Sequence, residues 1–199
     1  MNNIEQELIN QKIIGHVIIR DKMTQEVIVD AYNQVHLENM NLSLAESIAR
    51  TNVLGTYVGP IENMVFGNGG TSVNGVGVIT YLARNVVGQN ASLYNQTYSK
   101  IVDQNNPQNV NTAENYLTVS HVSGNLFSDI IVTCTLDSGE PNGQQVFDST
   151  TTLNDNFVFD ELGLVSYQGY LLSHVIFSPV QKSTNRIFEI IYSLRLSMA

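Results

Sequence analysis

The chain contains 199 residues, of which 14% are charged, and it has a formal net charge of −9; this favours one large domain or two small ones with a largely neutral polar surface. The acidic balance argues against a nucleic-acid-binding surface, because such a surface needs clustered Lys and Arg to neutralise phosphates. The single cysteine, Cys134, excludes an intrachain disulfide framework, and no apolar run reaches the roughly 18 residues of a membrane-spanning helix.

The N-terminal part of the chain predicts an arm, a hairpin and a helix. We expect residues 1–12 to form a flexible N-terminal arm and residues 13–199 to form a single β-rich structural domain. Two β-branched runs, Lys12–Arg20 and Glu26–Asp30, are joined by a short polar segment, which is typical of a β-hairpin. In Asn39–Thr51, apolar residues recur at every fourth position, together with Leu37 just before, which predicts a helix that packs on a sheet.

Strand patterns dominate the remainder of the chain. They cover Ile61–Phe66, Val76–Leu82, Tyr116–Val122, Asp129–Leu136, Phe157–Val165, Leu171–Phe177 and Arg186–Ser197. In the last run, Phe188, Ile190 and Tyr192 alternate with polar or smaller residues, which predicts one buried and one wet face. The sequence therefore predicts a mainly β protein: an antiparallel β-sandwich or barrel-like domain with one short packing helix and long polar loops.

Long loops are the candidate interaction sites. Gly67–Gly77 contains five glycines in eleven residues, and Asp103–Asn115 consists largely of amides and small polar residues. Loops of this length are often functional, although each of them could equally be a plain connection. The residues expected to contact neighbouring chains are Gly67, Asn68, Gly69, Gly70, Asn105, Asn106, Pro107, Asn109, Asn111, Pro179, Gln181 and Lys182.

No recognisable catalytic, metal-binding or nucleotide-binding motif occurs in the sequence. The four histidines are widely separated, which favours structural roles in strands, and for His36 a bond to backbone in a turn. Cys134 alternates with Val132 and Leu136 on a predicted buried face, so it is expected to be a core residue. We therefore predict no enzyme activity, no cofactor and no metal.

Acidic residues accumulate in the second half of the chain. No Lys or Arg lies between Lys100 and Lys182, whereas nine acidic residues do. The simplest interpretation is a solvated, repelling surface. A face for a basic partner or a divalent cation is an alternative, and Asp148, Asp155, Asp160 and Glu161 are its candidate calcium ligands, although their spacing is not that of an EF-hand.

Several long strings carry a family resemblance. They include GHVIIRDKMTQEVIVDAYNQVHLENM (Gly15–Met40), IENMVFGNGG (Ile61–Gly70), FSDIIVTCTLDSGEPNGQQVFD (Phe127–Asp148) and LLSHVIFSPVQKSTNRIFEIIYSLRLSM (Leu171–Met198). In these strings the chain resembles a family of virion structural proteins of tailed bacteriophages, especially contractile-tailed phages of the marine and cyanophage type. The resemblance implies a virion component assembled in the host cytoplasm, with other virion structural proteins as partners and no catalytic residues.

Three functions remain open at this point. The first is a non-enzymatic, homo-oligomeric component associated with the tail, neck or baseplate, which joins larger virion components and contacts neither nucleic acid nor membrane. The second is a capsid decoration or fibre-base protein. The third is a receptor- or glycan-binding module that uses the neutral amide loops.

Overall fold

The computed structural model describes residues 11–49, 60–142 and 157–198. The elements are β1 (Gln11–Asp21), β2 (Val27–Tyr32), β3 (Gln34–Val35), α1 (Leu37–Ala49), β4 (Ile61–Gly67), β5 (Thr71–Val73), β6 (Ile79–Tyr81), β7 (Gln96–Ile101), β8 (Tyr116–Ser120), β9 (Phe127–Leu136), β10 (Val158–Ser166), β11 (Leu171–Gln181) and β12 (Phe188–Met198). The protein is mainly β, as predicted, and its described sheets are antiparallel.

Two five-stranded sheets form a β-sandwich-like body. The front sheet has the strand order β2-β1-β12-β9-β8, and the back sheet has the order β3-β11-β10-β4-β7. A separate two-stranded sheet pairs β5 with β6. The first two strands form the predicted hairpin, in which Val17 lies opposite Ala31.

One hydrophobic core joins the two sheets. In the front sheet, Val17 and Val132 lie opposite Tyr192 on either side of it, and all three side chains are buried. The back sheet contributes Leu162 and Leu172 to the same core. The Tyr192 hydroxyl donates a hydrogen bond to Ser173 Oγ at 2.7 Å, so the one polar atom of this large side chain is satisfied where it crosses between the sheets.

Helix α1 forms close to where it was expected, but one residue of its predicted packed stripe is exposed. Met40 is buried and Leu44 is partly buried against the core, whereas Leu37 is exposed, so the prediction that Leu37 belongs to the packed stripe is wrong. The helix begins directly after His36, whose Nδ1 accepts a hydrogen bond from the Asn39 amide at 3.2 Å. This bond satisfies one of the free amides of the first turn, and it agrees with the backbone-bonding role expected for His36.

The start of β1 and the end of β11 differ from the limits expected from the sequence. Strand β1 begins at Gln11, opposite Met198, so the body starts two residues before the expected limit of the N-terminal arm; residues 1–10 lie outside the described part of the chain. Strand β11 continues to Gln181, well beyond Phe177, because its distal part pairs with the start of β10. No helix in the described residues has the length and apolar character of a membrane span.

Candidate functional site

A two-stranded hairpin stands out from the back sheet. It comprises residues 71–82 and is called the projecting hairpin below; Thr71 lies opposite Tyr81, and Val73 lies opposite Ile79. Every residue from Ser72 to Leu82 is exposed. A hairpin of this size is marginally stable alone, so its position depends on how its base is held.

The tip of the projecting hairpin is apolar but conformationally defined. Asn74 Oδ1 accepts hydrogen bonds from the amides of Val76 at 3.1 Å and Val78 at 2.9 Å, and Gly77 supplies the positive φ that closes the turn. Val76 and Val78 are consequently held in solvent with 85% and 55% of their surface exposed. The tip therefore presents apolar side chains on a preformed turn, which reduces the entropy lost on binding.

A buried carboxylate holds the first strand of the projecting hairpin. Asp160 Oδ1 accepts the Gly70 amide at 2.8 Å, and its Oδ2 accepts the Thr71 amide at 2.8 Å and also the Thr71 hydroxyl. The second strand is held by hydrogen bonds from the Leu82 amide to the Gly70 carbonyl and between the hydroxyls of Tyr81 and Ser178. Both strands are thus attached to the body at the base, and the tip is left in solvent.

A second carboxylate, next along the chain, extends this network. Glu161 accepts the amides of Gly69 at 3.1 Å, Tyr94 at 2.9 Å and Asn95 at 2.8 Å, and its Oε2 lies 3.0 Å from His174 Nε2. His174 Nδ1 accepts the Asn85 amide at 2.9 Å, so the tautomer with its proton on Nε2 satisfies both ring nitrogens. We call Asp160, Glu161 and His174 the carboxylate clamp.

A bulge in β10 brings the two carboxylates of the clamp to one place. Successive residues of a regular strand point to opposite faces, but the register between β10 and β11 shifts between Phe159 and Glu161. A bulge of this kind redirects a side chain. Asp160 and Glu161 can therefore both accept hydrogen bonds from backbone amides of the segment that leads into the projecting hairpin.

The pKa values of the two buried carboxylates are shifted in opposite directions. Burial raises the pKa of Asp160 above its ordinary value and outweighs the hydrogen bonds from Thr71 and Gly70. Burial also opposes ionisation of Glu161, but the hydrogen bonds from His174 and the backbone amides hold its pKa below the ordinary value. Glu161 is thus the ionised centre of the carboxylate clamp.

The glycines predicted as interaction residues lie against the body. Gly67, Gly70 and the neighbouring Asn68 are buried, and Gly69 is partly exposed. A Cβ atom at Gly67 would lie 2.5 Å from the Asn95 carbonyl oxygen, and one at Gly69 would lie 2.7 Å from the Tyr94 Cβ. Because these glycines lack side chains, their backbone can lie close to Glu161 and to the Tyr94–Asn95 backbone. They therefore help to hold the base of the projecting hairpin against the body.

The second predicted segment, residues 103–115, is called the Asn loop. Its side-chain oxygens form a series of Asx turns three residues apart: Asp103 accepts the Asn105 amide at 2.8 Å, and Asn106 accepts the Gln108 amide at 2.9 Å. Asn109 continues the series by accepting the Asn111 amide at 3.2 Å. Asn106 and Asn109 are buried, Asn111 is partly exposed, and Asn105 and Pro107 are exposed.

The third predicted segment belongs to β11 and the residue after it. Pro179 and Gln181 lie in the strand and are partly exposed. Lys182 is fully buried, and its Nζ donates hydrogen bonds to the carbonyl oxygens of Asp137 at 2.8 Å and Ser183 at 3.2 Å. Burial lowers the pKa of Lys182 to about 8. The ammonium group therefore links two backbone carbonyls inside the protein, and it does not lie on the surface where a partner could bind it.

The chemistry-bearing side chains take structural positions. Cys134 is fully buried, and burial raises the pKa of its thiol, as expected for a core residue. No group of three or more potential metal ligands occurs in the described residues. Of the alternative calcium ligands, Asp160 and Glu161 accept the hydrogen bonds of the carboxylate clamp, whereas Asp148 and Asp155 lie outside the described ranges.

No family model, curated protein or solved structure matches this chain.

Sequence reasoning singled out the base of the projecting hairpin but missed its tip. The interaction residues were placed at Gly67–Gly70. Val76 lay in the loop Gly67–Gly77 and in a predicted strand, Val78 lay in the strand, and neither was named as a contact residue. A signal was present in the sequence: no Asp, Glu, Lys or Arg lies between Glu62 and Arg84. A long uncharged stretch with valines around a Gly-containing turn indicates an apolar tip, because such a turn has no neighbouring element to cover it.

Proposed function

We propose that this protein is a non-enzymatic structural subunit of a tailed-phage virion, which self-associates and joins larger components of the tail, neck or baseplate region. The observation that carries the proposal is the projecting hairpin, with an uncharged apolar tip in solvent and a base fixed by buried hydrogen bonds. Exposed apolar groups on an ordered element are characteristic of protein–protein contact sites. The virion setting is supported by the resemblance of the long strings quoted above to phage structural proteins.

Charge supports contact between proteins at this hairpin. A chain with a net charge of −9 repels its own copies at a distance. The projecting hairpin carries no charged residue, so two molecules can meet there without bringing carboxylates together. Its two-stranded form also leaves backbone groups at both edges, which can pair with a strand of another chain.

Sedimentation velocity across a micromolar concentration range tests the self-association. The wild-type protein is expected to form oligomers whose fraction rises with concentration. The double variant Val76→Asp/Val78→Asp should weaken association by about 100-fold or more, because two valines lose burial and two carboxylates are introduced. The matched control is Val110→Asp in the Asn loop, where the valine is 96% exposed. A double variant that associates like the wild type would contradict the proposal.

Cryo-electron microscopy of the virion that carries this chain tests the proposed location of the subunit. The proposal expects density for the subunit in the tail, neck or baseplate, in symmetric contact with its own copies. Density on the capsid surface would instead identify a decoration protein.

A further inference from the structure

An apolar groove lies between α1 and the end of the β8–β9 hairpin. Its volume is about 710 Å³, and it is lined by Leu44, Val119, Leu126, Ile130 and Leu196 together with small polar residues. Val119 and Leu126 on its rim are 72% and 75% exposed. Large apolar side chains gathered around a concave surface in this way indicate a place where another apolar element binds.

The groove and the projecting hairpin match in charge. No Asp, Glu, Lys or Arg is among the described residues that line the groove, and none lies between Glu62 and Arg84. In a molecule with nine excess negative charges, these are two surfaces on which copies can approach without like-charge repulsion. Both surfaces also present exposed apolar side chains, Val76 and Val78 on the hairpin and Val119 and Leu126 on the rim of the groove.

The projecting hairpin and the groove of one chain are built on different sheets. The base of the projecting hairpin is held by Asp160 and Ser178 of the back sheet. The groove is lined by Phe127, Ile130 and Leu196 of the front sheet, together with residues of α1. The two surfaces are therefore separate parts of one chain, and each can bind a different copy.

We propose that the tip of the projecting hairpin of one copy docks in the α1/β8–β9 groove of a second copy. This inference rests on the proposed function and names the partner of its contact surface. Because the donor and acceptor surfaces differ, every added copy leaves one free hairpin and one free groove. Such a heterologous contact closes into a ring or extends as a filament, as a subunit of a tubular or ring-shaped particle requires.

A mixing experiment with two complementary variants tests the docking. The hairpin variant is Val76→Asp/Val78→Asp, and the groove variant is Leu126→Asp; the control Val122→Asp changes a 64% exposed valine in the same β8–β9 connection that does not line the groove. Because these side chains are solvent-exposed, the variants should keep the wild-type circular dichroism spectrum and melting temperature. Sedimentation velocity is measured on each variant alone and on an equimolar mixture.

The hairpin variant and the groove variant should each be monomeric, with self-association about 100-fold weaker or more, and the control should assemble like the wild type. Their mixture should form dimers and nothing larger, because an intact hairpin from one variant meets an intact groove from the other. A groove variant that assembles normally beside a monomeric hairpin variant would overturn the docking but leave the proposed function standing. Normal assembly of both variants would overturn both.

Discussion

The projecting hairpin and the Asn loop began as the same kind of segment in the sequence, and the fold uses them in opposite ways. In the sequence, Gly67–Gly77 and Asp103–Asn115 are both long and rich in turn-forming residues. Many polar groups of the Asn loop form hydrogen bonds within the loop, as where Asn109 Nδ2 donates to the carbonyls of Asp103 at 3.1 Å and Asn115 at 2.9 Å. The projecting hairpin instead receives its support from distant carboxylates at its base and leaves valines in solvent at its tip.

The difference shows that loop composition alone does not mark a contact surface. Amide side chains can satisfy neighbouring backbone groups, and an Asn-rich segment can therefore be a closed, self-supporting structure. The projecting hairpin has bonds of this kind at its tip, from Asn74, whereas its base is held from outside by the carboxylate clamp. What remains unsatisfied in the hairpin is apolar surface, which the proposed contact with another protein would remove from water.

Removing the charge of the carboxylate clamp should produce the largest effect on stability. Glu161→Gln keeps the shape of the side chain but replaces one acceptor oxygen with a donor among four donors. We expect the free energy of unfolding to fall by about 3–5 kcal/mol, because the ionised acceptor of four buried hydrogen bonds is lost and each hydrogen bond to a charged group contributes about 1.5–3 kcal/mol. Urea denaturation measures this loss. The matched control is Glu26→Gln, an exposed carboxylate 3.7 Å from Arg186, and it should change stability by less than about 1 kcal/mol.

Adding one methyl group at each end of the glycine-rich segment should separate the base from the tip. Gly67→Ala places a Cβ within 2.6 Å of Glu161 Oε1 as well as close to the Asn95 carbonyl. We expect a loss of about 3 kcal/mol, since backbone and buried carboxylate cannot move aside cheaply. Gly75→Ala meets no atom within 4 Å and should leave the urea midpoint unchanged. Equal effects at the two positions would contradict the division into a packed base and a free tip.

Truncating the central amide of the Asn loop should cost somewhat less. Asn109→Ala removes two donated hydrogen bonds and the Asx turn to Asn111, and we expect a loss of about 2 kcal/mol. The neighbouring exposed Gln108 provides the control, because Gln108→Ala should be neutral within about 0.5 kcal/mol. Self-association of Asn109→Ala should match the wild type at temperatures where it is folded. Loss of assembly in a folded Asn109→Ala variant would assign the contact to the Asn loop instead.

A turn capped by an ionised group offers the smallest and most specific test. Asp21 Oδ1 accepts the amides of Met23 at 2.9 Å and Thr24 at 3.0 Å, and Arg186 Nε donates to Oδ2 at 2.9 Å. The Thr24 amide and Arg186 lower the pKa of Asp21 from 3.8 to about 2. The folded state therefore favours the carboxylate, so its stabilisation is complete above about pH 4 and is lost as the pH falls through about 2.

Thermal melts of wild type and Asp21→Asn across this range measure that loss. The variant should melt roughly 2–4 °C lower at pH 6, and the difference should shrink towards zero near pH 2. A constant difference from pH 6 to pH 2 would show that the carboxylate charge is not what the turn uses.

Local patterns predicted much of the body, and long-range contacts account for most of what was missed. The alternation of Phe188, Ile190 and Tyr192 predicted the central strand of the front sheet. In a strand with one buried face, every second side chain points into the core and is apolar. Strand β7, QTYSKI, carries no such alternation, and its pairing with β4 is what makes it a strand. The role of Glu161 depends on Gly69 and Tyr94, which lie 92 and 67 residues away in sequence. A pattern of neighbouring residues cannot predict contacts between residues so far apart in sequence.

Hydrogen–deuterium exchange on the wild-type protein at low and high concentration tests the central claim most directly. It reports the projecting hairpin and the Asn loop in the same sample, without any substitution. We predict that amides of residues 71–82 exchange more slowly as the protein self-associates, while those of residues 103–115 keep the same rates. Oligomers that form with unchanged exchange in residues 71–82 would contradict the account.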